Sequence, residues 1–298
     1  MDPIPEITLG HVLFSIVEPH KGHEREFHRW YERDHFYAGC MAGANYFSGR
    51  RFVATRPLKA LRFPEDTPVT PDIRRGSYLV LYWILAGTYA ETLRWSVDQV
   101  LQLHKQNRMQ PPRDNITTAF YRYAWGAFRD ADGVPAELAL EHLFKGVAVT
   151  MIDRAEGVDE AEFEARLETL LAAASPSPNP LPSSERASDH VPPPRWGRLG
   201  EGDGTDSSEQ NSPIAMTLCL RPQQLPDDAP SYVPRPSADE LDRRYLLLSF
   251  LEDEPDADTA ATFAALDSAL SQAALGRVIY AAPFIPTVPG TDKYVDQL

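Results

Sequence analysis

Cysteine, long apolar runs and positive charge are all scarce in this sequence. It has two cysteines among 298 residues, Cys40 and Cys219, and no Cys-x-x-Cys spacing, which argues against a disulfide framework or a cysteine-rich zinc site. No apolar run reaches the roughly 18 residues that a membrane-spanning helix needs. Lys and Arg number 29 against 43 Asp and Glu, for a formal net charge of −14, and such an acidic chain is a poor candidate for binding nucleic acid.

The usual signatures of targeting and of several enzyme classes are also missing. The chain begins Met-Asp-Pro-Ile-Pro-Glu, without the basic and apolar regions of a secretory signal, so we expect a cytoplasmic protein. We find no Gly-rich phosphate loop, no Gly-x-Ser-x-Gly and no Cys-His signature. No metal-ligand spacing is present either, and we predict no metal site.

Strand-like and helical patterns alternate through the first half of the chain. Periodicity predicts strands at residues 11–19, 45–55, 77–85 and 116–128, with helices at 22–41 and 89–106. The order β-α-β-β-α-β is the ferredoxin-like arrangement.

The second half repeats this order. It has predicted strands at residues 145–153, 214–220, 245–251 and 277–282, with helices at 159–174 and 258–274. The chain therefore divides into a first ferredoxin-like unit, residues 1–142, and a second one, residues 143–298.

Two segments of the second half do not fit the repeat. Residues 175–213 are rich in Pro, Ser, Gly and charge, which indicates a disordered insertion. Residues 283–298 contain three prolines. We expect them to form an extended arm packed on the body, and a lid or partner-binding arm is the alternative.

The predicted strands carry bulky residues on both faces, so both faces of each sheet need cover. Two tandem units can cover each other's open faces. The predicted fold class is therefore α+β, with two tandem ferredoxin-like units forming an α/β barrel within one chain. The space between the two sheets would suit a small apolar molecule.

The helix predicted at residues 22–41 carries the most unusual stripe of the sequence. Phe27, Trp30, Tyr31, Asp34 and Ala38 fall on one face at helical period, and His35 lies at its edge. Ionisable groups on an aromatic, inward face are costly to bury without partners, by several kcal/mol for an ionised group. They are therefore either paired inside the structure or line a polar cavity.

These residues resemble a known family. Phe27-x-x-Trp30-Tyr31-x-x-x-His35, followed by the strand with Arg50-Arg51-Phe52, is similar to EthD-like proteins of the dimeric α/β-barrel superfamily, and the duplicated element order is in keeping with it. The resemblance implies a cofactor-free monooxygenase, cyclase, dehydratase or decarboxylase acting on aromatic or polyketide-like compounds, and the superfamily also has haem-binding branches. It implies that His35 is an active-site acid or base.

The chain departs from the family pattern in three ways. Many relatives are homodimers of single units, whereas this chain is fused. A proline often follows the motif histidine, but here the sequence is His35-Phe36-Tyr37. The helix at 159–174 has no His, Trp or Tyr, so we expect any chemistry to lie in the first half.

The predicted catalytic residues are His35 as acid or base, Asp34 as base or orienting group, and Arg51 as the partner of an anion. Two of them have an ordinary structural alternative: a helix-terminal histidine for His35, and for Asp34 an ion pair with a nearby arginine such as Arg50 or Arg51. The predicted substrate-binding residues are aromatic side chains, which otherwise pack as core: Trp30, Tyr31, Tyr37, Tyr82, Tyr121 and Tyr123.

Three functions remain open from the sequence. The first is an EthD-like, cofactor-independent enzyme acting by proton transfer on a small aromatic or polyketide-like substrate. The second is a non-catalytic binder of a small apolar ligand, or an accessory subunit of an oxygenase system. The third is a haem protein, with His35, His23 or His104 as axial ligand. We expect no cofactor, with haem as the alternative, no nucleic-acid or membrane partner, and a monomer or homodimer.

Overall fold

A computed structural model of the protein describes residues 6–174, 212–226 and 233–298. Almost all of the predicted insertion at 175–213 lies outside these residues. Within them, no helix is long and apolar enough to cross a membrane.

The eight strands found in the described part of the chain join one closed antiparallel barrel. In the first unit they are β1 (Leu9–Pro19), β2 (Tyr46–Val53), β3 (Tyr78–Leu85) and β4 (Arg113–Phe128). In the second unit they are β5 (Gly146–Arg154), β6 (Ile214–Pro222), β7 (Arg244–Leu251) and β8 (Gly276–Pro286). Their order around the barrel is β1-β3-β2-β8-β5-β7-β6-β4. Each unit contributes four neighbouring strands, which confirms the predicted fold class.

The helices cover the outside of the barrel. They are α1 (Glu24–Trp30), α2 (Arg56–Lys59), α3 (Tyr89–Lys105), α4 (Glu160–Ala174), α5 (Ala238–Arg243) and α6 (Ala257–Gln272). The short α2 and α5 were not predicted. After Trp30 the α1 helix continues as two π-helical turns, Tyr31–His35 and Tyr37–Met41.

The two seams between the units differ in length. β4 pairs with β6 from Tyr121 to Phe128, whereas β2 pairs with β8 only at Phe52 and Val53. A β-bulge between Tyr123 and Trp125 shifts the register within the longer seam. The bulge turns Trp125 toward the helix-covered core of the second unit, whereas uninterrupted alternation would place it on the same face as Tyr121 and Tyr123.

Large apolar side chains fill the barrel interior. Trp83 of β3 meets Phe250 of β7 at 6.5 Å between ring centroids, Phe144 lies 5.4 Å from Phe250, and all three are almost fully buried. Burying a large apolar side chain stabilises a fold by roughly 1.5–3 kcal/mol. The described interior is therefore a packed core that joins the two units, where we had expected a substrate pocket.

The C-terminal segment also joins the units. β8 extends through Pro286, so the last strand is longer than the 277–282 predicted from the sequence, and Pro283 and Pro286 are strand residues. Beyond the strand, the backbone carbonyl of Thr291 accepts a hydrogen bond from His28 Nε2 at 2.8 Å, and Asp292 pairs with Arg29. The segment is packed on α1.

Candidate functional site

The predicted site residues divide between the two faces of the first sheet. Tyr82 lies against the helix, with its hydroxyl 3.4 Å from the hydroxyl of Tyr31 and its ring 5.3 Å from Phe36. Tyr121 instead faces the barrel interior, where it meets Phe14 at 5.7 Å. Tyr123, two residues further along β4, points to the same side as Tyr121. The side chain of Tyr37 is 59% exposed. The structure therefore does not bring Tyr37, Tyr121 or Tyr123 together with the residues of α1.

The residues that do come together form what we call the α1 cluster: Tyr31, His35, Arg51, Tyr78 and Tyr82. It occupies the space between the outer face of β2–β3 and the helical segment 24–41. Alternation along the strands places Arg51, Tyr78 and Tyr82 on this face, because Trp83, the residue after Tyr82, points into the barrel. Tyr78 was not predicted, although its spacing of four residues from Tyr82 puts both on one side of β3.

His35 is packed by aromatic rings. Its imidazole stacks on Trp30 at 4.6 Å with an interplanar angle of 15°, and Tyr31 meets it edge-on at 4.9 Å. Its Nδ1 atom is buried and has no hydrogen-bond partner in the described part of the chain. Burial, with the nearby Arg113 guanidinium, lowers the pKa of His35 to about 3. The ring is therefore neutral throughout the physiological range.

The π-helical turns give His35 this position. The Phe36 N–H donates to the Tyr31 carbonyl, a spacing of five residues, which shifts the side chains after Tyr31 away from an ideal 3.6-residue period. Gly39 then lies against the ring: a Cβ atom at this position would come 2.9 Å from His35 Cε1. The glycine is therefore part of the site, and only the tertiary packing shows it.

Asp34 and Arg51 have different surroundings. The Asp34 carboxylate accepts two hydrogen bonds from Arg108, one of them from Nε at 3.2 Å. This is the kind of ion pair anticipated for Asp34, although its partner is not Arg50 or Arg51. The guanidinium of Arg51 lies between the rings of Tyr31, at 4.8 Å, and Tyr78, at 5.2 Å.

Arg51 is a buried cation with a sparse set of partners. It is 5% exposed, and its Nε atom has no hydrogen-bond partner among the described residues. Burial lowers its pKa. The same burial raises the pKa of Tyr31 and of the Cys40 thiol, each to about 12. Since these acids stay neutral near pH 7, the charge of Arg51 is held by ring faces and by weak contacts to His28 at 3.4 and 3.5 Å.

Neither protein-family models nor curated protein sequences show a match to this chain. Solved structures do. One, described as a chlorite dismutase, aligns with a TM-score of 0.52 at 10% identity, covering 98% of this chain and 100% of its own. A novel heme-binding protein from Thermus thermophilus aligns at 0.42 and 10% identity, covering 94% and 92%. A monooxygenase structure from Fusobacterium nucleatum aligns at 0.40 and 8% identity, covering 95% and 98%.

These similarities bear on the fold and on one earlier expectation. The chain shares its fold with the structure described as a chlorite dismutase, whereas the predicted resemblance to EthD-like proteins of the dimeric α/β-barrel superfamily stays a prediction. The expectation that the chain uses no cofactor is corrected. The structure described as a chlorite dismutase, whose fold this chain shares, contradicts that expectation.

Proposed function

We propose that this chain is a haem-related α/β-barrel protein and that His35 is the residue that holds the haem iron. The observation that carries the proposal is the state of His35: a neutral, largely buried imidazole with a buried nitrogen that lacks a hydrogen-bond partner among the described residues. Neutral imidazole is the form that binds metals. The names of the similar structures, which include a heme-binding protein, a chlorite dismutase and a monooxygenase, are in keeping with it.

The residues around His35 fit such a group in chemical type. Trp30 and Tyr31 fix the imidazole by stacking and edge contact, and Gly39, which has no side chain, allows the ring to pack closely against the helix. Arg113 lies 4.6 Å over the ring of Trp30 and supplies a positive charge near His35, suited to a carboxylate of the porphyrin. Bound haem supplies an iron centre for ligand binding and redox chemistry.

The other histidines fit less well. His23 is partly exposed and its Nδ1 lies 2.9 Å from Glu26 Oε2, and His104 is exposed on α3. His35 is poorly suited to cofactor-free proton transfer. An imidazole with a pKa of about 3 is a weak base near neutral pH.

The test is titration of the purified protein with hemin, followed by the Soret absorption band. We expect saturable binding at one haem per chain in the wild type, and loss of the shifted band in His35→Ala. His23→Ala and His104→Ala should bind as the wild type does, and circular dichroism should show that all variants are folded. Absence of saturable binding, or unchanged binding and spectrum in His35→Ala, would overturn the assignment.

A further inference from the structure

A cleft in the second unit brings three arginines together, far in sequence from the α1 cluster. It lies at the end of the sheet where β5 finishes and β8 begins after α6, and it encloses about 440 Å3. Arg154 ends β5, Arg243 ends α5 and Arg277 is the second residue of β8. This volume lies within the roughly 300–1,000 Å3 that small-molecule sites commonly have.

The charge of the lining is positive, although the chain as a whole is acidic. Asp153 is the single carboxylate among the described residues that line the cleft, and Arg244 holds it through Nε at 2.8 Å and Nη2 at 3.2 Å. Arg243 is paired with Asp239 and Arg154 with Asp242, so among the described residues of the lining Arg277 is the arginine whose positive charge is not balanced by an ion pair. An anion that enters the cleft therefore meets favourable charge.

Two of the arginines are fixed in place by the fold. Arg243 is held by Asp239 through Nε at 2.6 Å and Nη2 at 2.9 Å. Arg154 is 6% exposed, and its Nη2 donates to the Asp242 backbone carbonyl and carboxylate at 3.0 Å each. Fixed guanidinium groups bind anions well because little side-chain entropy is lost on binding.

Two donors remain unused. The Nε atom of Arg154 is buried without a hydrogen-bond partner in the described residues. Arg277 is exposed, and no ion pair or hydrogen bond of its side chain is found within those residues. A buried donor without a partner costs roughly 1–3 kcal/mol, so a bound acceptor at this point would relieve a real deficit.

We propose that the arginine cleft binds a small phosphorylated organic molecule, with its phosphate held by Arg154 and Arg277. A phosphate group offers several acceptor oxygens and a double negative charge, which match forked guanidinium donors. The volume leaves room for an organic body of sugar size beside the phosphate. This site is separate from the α1 cluster and does not depend on haem binding.

The proposal is tested by isothermal titration calorimetry on the full chain with ribose 5-phosphate, ribose and inorganic phosphate. We expect saturable binding of ribose 5-phosphate, no binding of ribose, and weaker binding of inorganic phosphate. Arg277→Glu should weaken ribose 5-phosphate binding at least about tenfold, because a charge-assisted hydrogen bond is lost and repulsion is added.

Arg94→Glu on α3 is the matched control, since it makes the same change of charge on an exposed residue of the first unit. It should leave binding unchanged. Arg277 is the better target because Arg154 also holds the fold through Val158 and Asp242. Lack of saturable binding by the wild type, or equal loss in the Arg94→Glu and Arg277→Glu variants, would overturn the proposal.

Discussion

At the scale of single residues, burial decides what the ionisable groups of the α1 cluster can do. His35, Arg51 and the buried tyrosines all have their neutral forms favoured, because the surrounding rings replace water with a medium of low polarity. Asp34, by contrast, is partly exposed and has a guanidinium partner. Neighbouring residues in the sequence, Asp34 and His35, therefore have opposite surroundings.

Lowering the pH should destabilise the folded state through the protonation of His35. Its folded-state pKa of about 3 lies below the value of about 6.5 that it has when unfolded, so the unfolded state takes up the proton first. Stability is then full above about pH 6.5 and is lost as the pH falls toward 3. Between pH 7.5 and 5.0 this loss is at most about 2 kcal/mol.

Urea unfolding at these two pH values measures the effect. In His35→Phe the loss of unfolding free energy between pH 7.5 and 5.0 should be smaller than in the wild type, by up to about 2 kcal/mol. His20→Phe, an exposed site, serves as control. Equal pH dependence in the wild type and His35→Phe would show that the imidazole is not buried in its neutral form.

At the scale of elements, the helical segment 24–41 was predicted correctly as helical but not in its pitch. Hydrophobic spacing reveals a helix, whereas a change to π-helical turns after Trp30 depends on how the segment fits the sheet. Within this segment Gly39 lies close to the ring of His35, one helical turn earlier. A sequence pattern does not reveal a close approach of this kind.

Replacing Gly39 with alanine separates steric effects from helix propensity. A glycine-to-alanine change in a helix normally stabilises by about 0.5–1 kcal/mol. Here the new Cβ would lie 2.9 Å from His35 Cε1, and overpacking costs typically 1–3 kcal/mol. We therefore expect Gly39→Ala to lower the unfolding free energy of the wild type.

The same change made in a His35→Ala background should be stabilising, since the opposing ring is gone. Chemical denaturation of the four proteins of this double-mutant cycle measures the coupling. If Gly39→Ala stabilises both backgrounds equally, the contact between Gly39 and the ring does not exist in solution.

At the scale of the whole molecule, the two ferredoxin-like units share one interior. Trp83 and Phe14 come from the first unit, and Phe250 and Phe284 from the second, and each is fully buried. The two sheets close into one barrel and so cover each other's inner faces, although β2 and β8 pair over only two residues. Residue 142 thus separates two repeats of the sequence pattern. A boundary of this kind is not the same as one between domains that are stable on their own.

Separate expression of residues 1–142 tests this interdependence. The fragment would lose both seams and expose the interior faces of β1 and β3, so we expect it to aggregate or self-associate, and to recover solubility on co-expression with residues 143–298. Size-exclusion chromatography with light scattering gives the outcome. A folded, monomeric fragment would mean that the first unit has a sufficient core of its own.

The sequence by itself determined the order of the eight strands and four main helices, and from this order the tandem barrel. These features follow from local hydrophobic periodicity, which reports which side of each element must avoid water. It also identified the helical stripe that carries Trp30, Tyr31 and His35.

Only the tertiary structure decided which face of the sheet those residues occupy. The same alternation can place Tyr82 inside the barrel or under the helix, and a one-residue bulge exchanges the faces, as at Trp125. The arginine cleft depends likewise on three separate elements meeting at one end of the sheet. Side-chain burial, and with it the neutral state of His35, is a property of that packing and has no local signal in the chain.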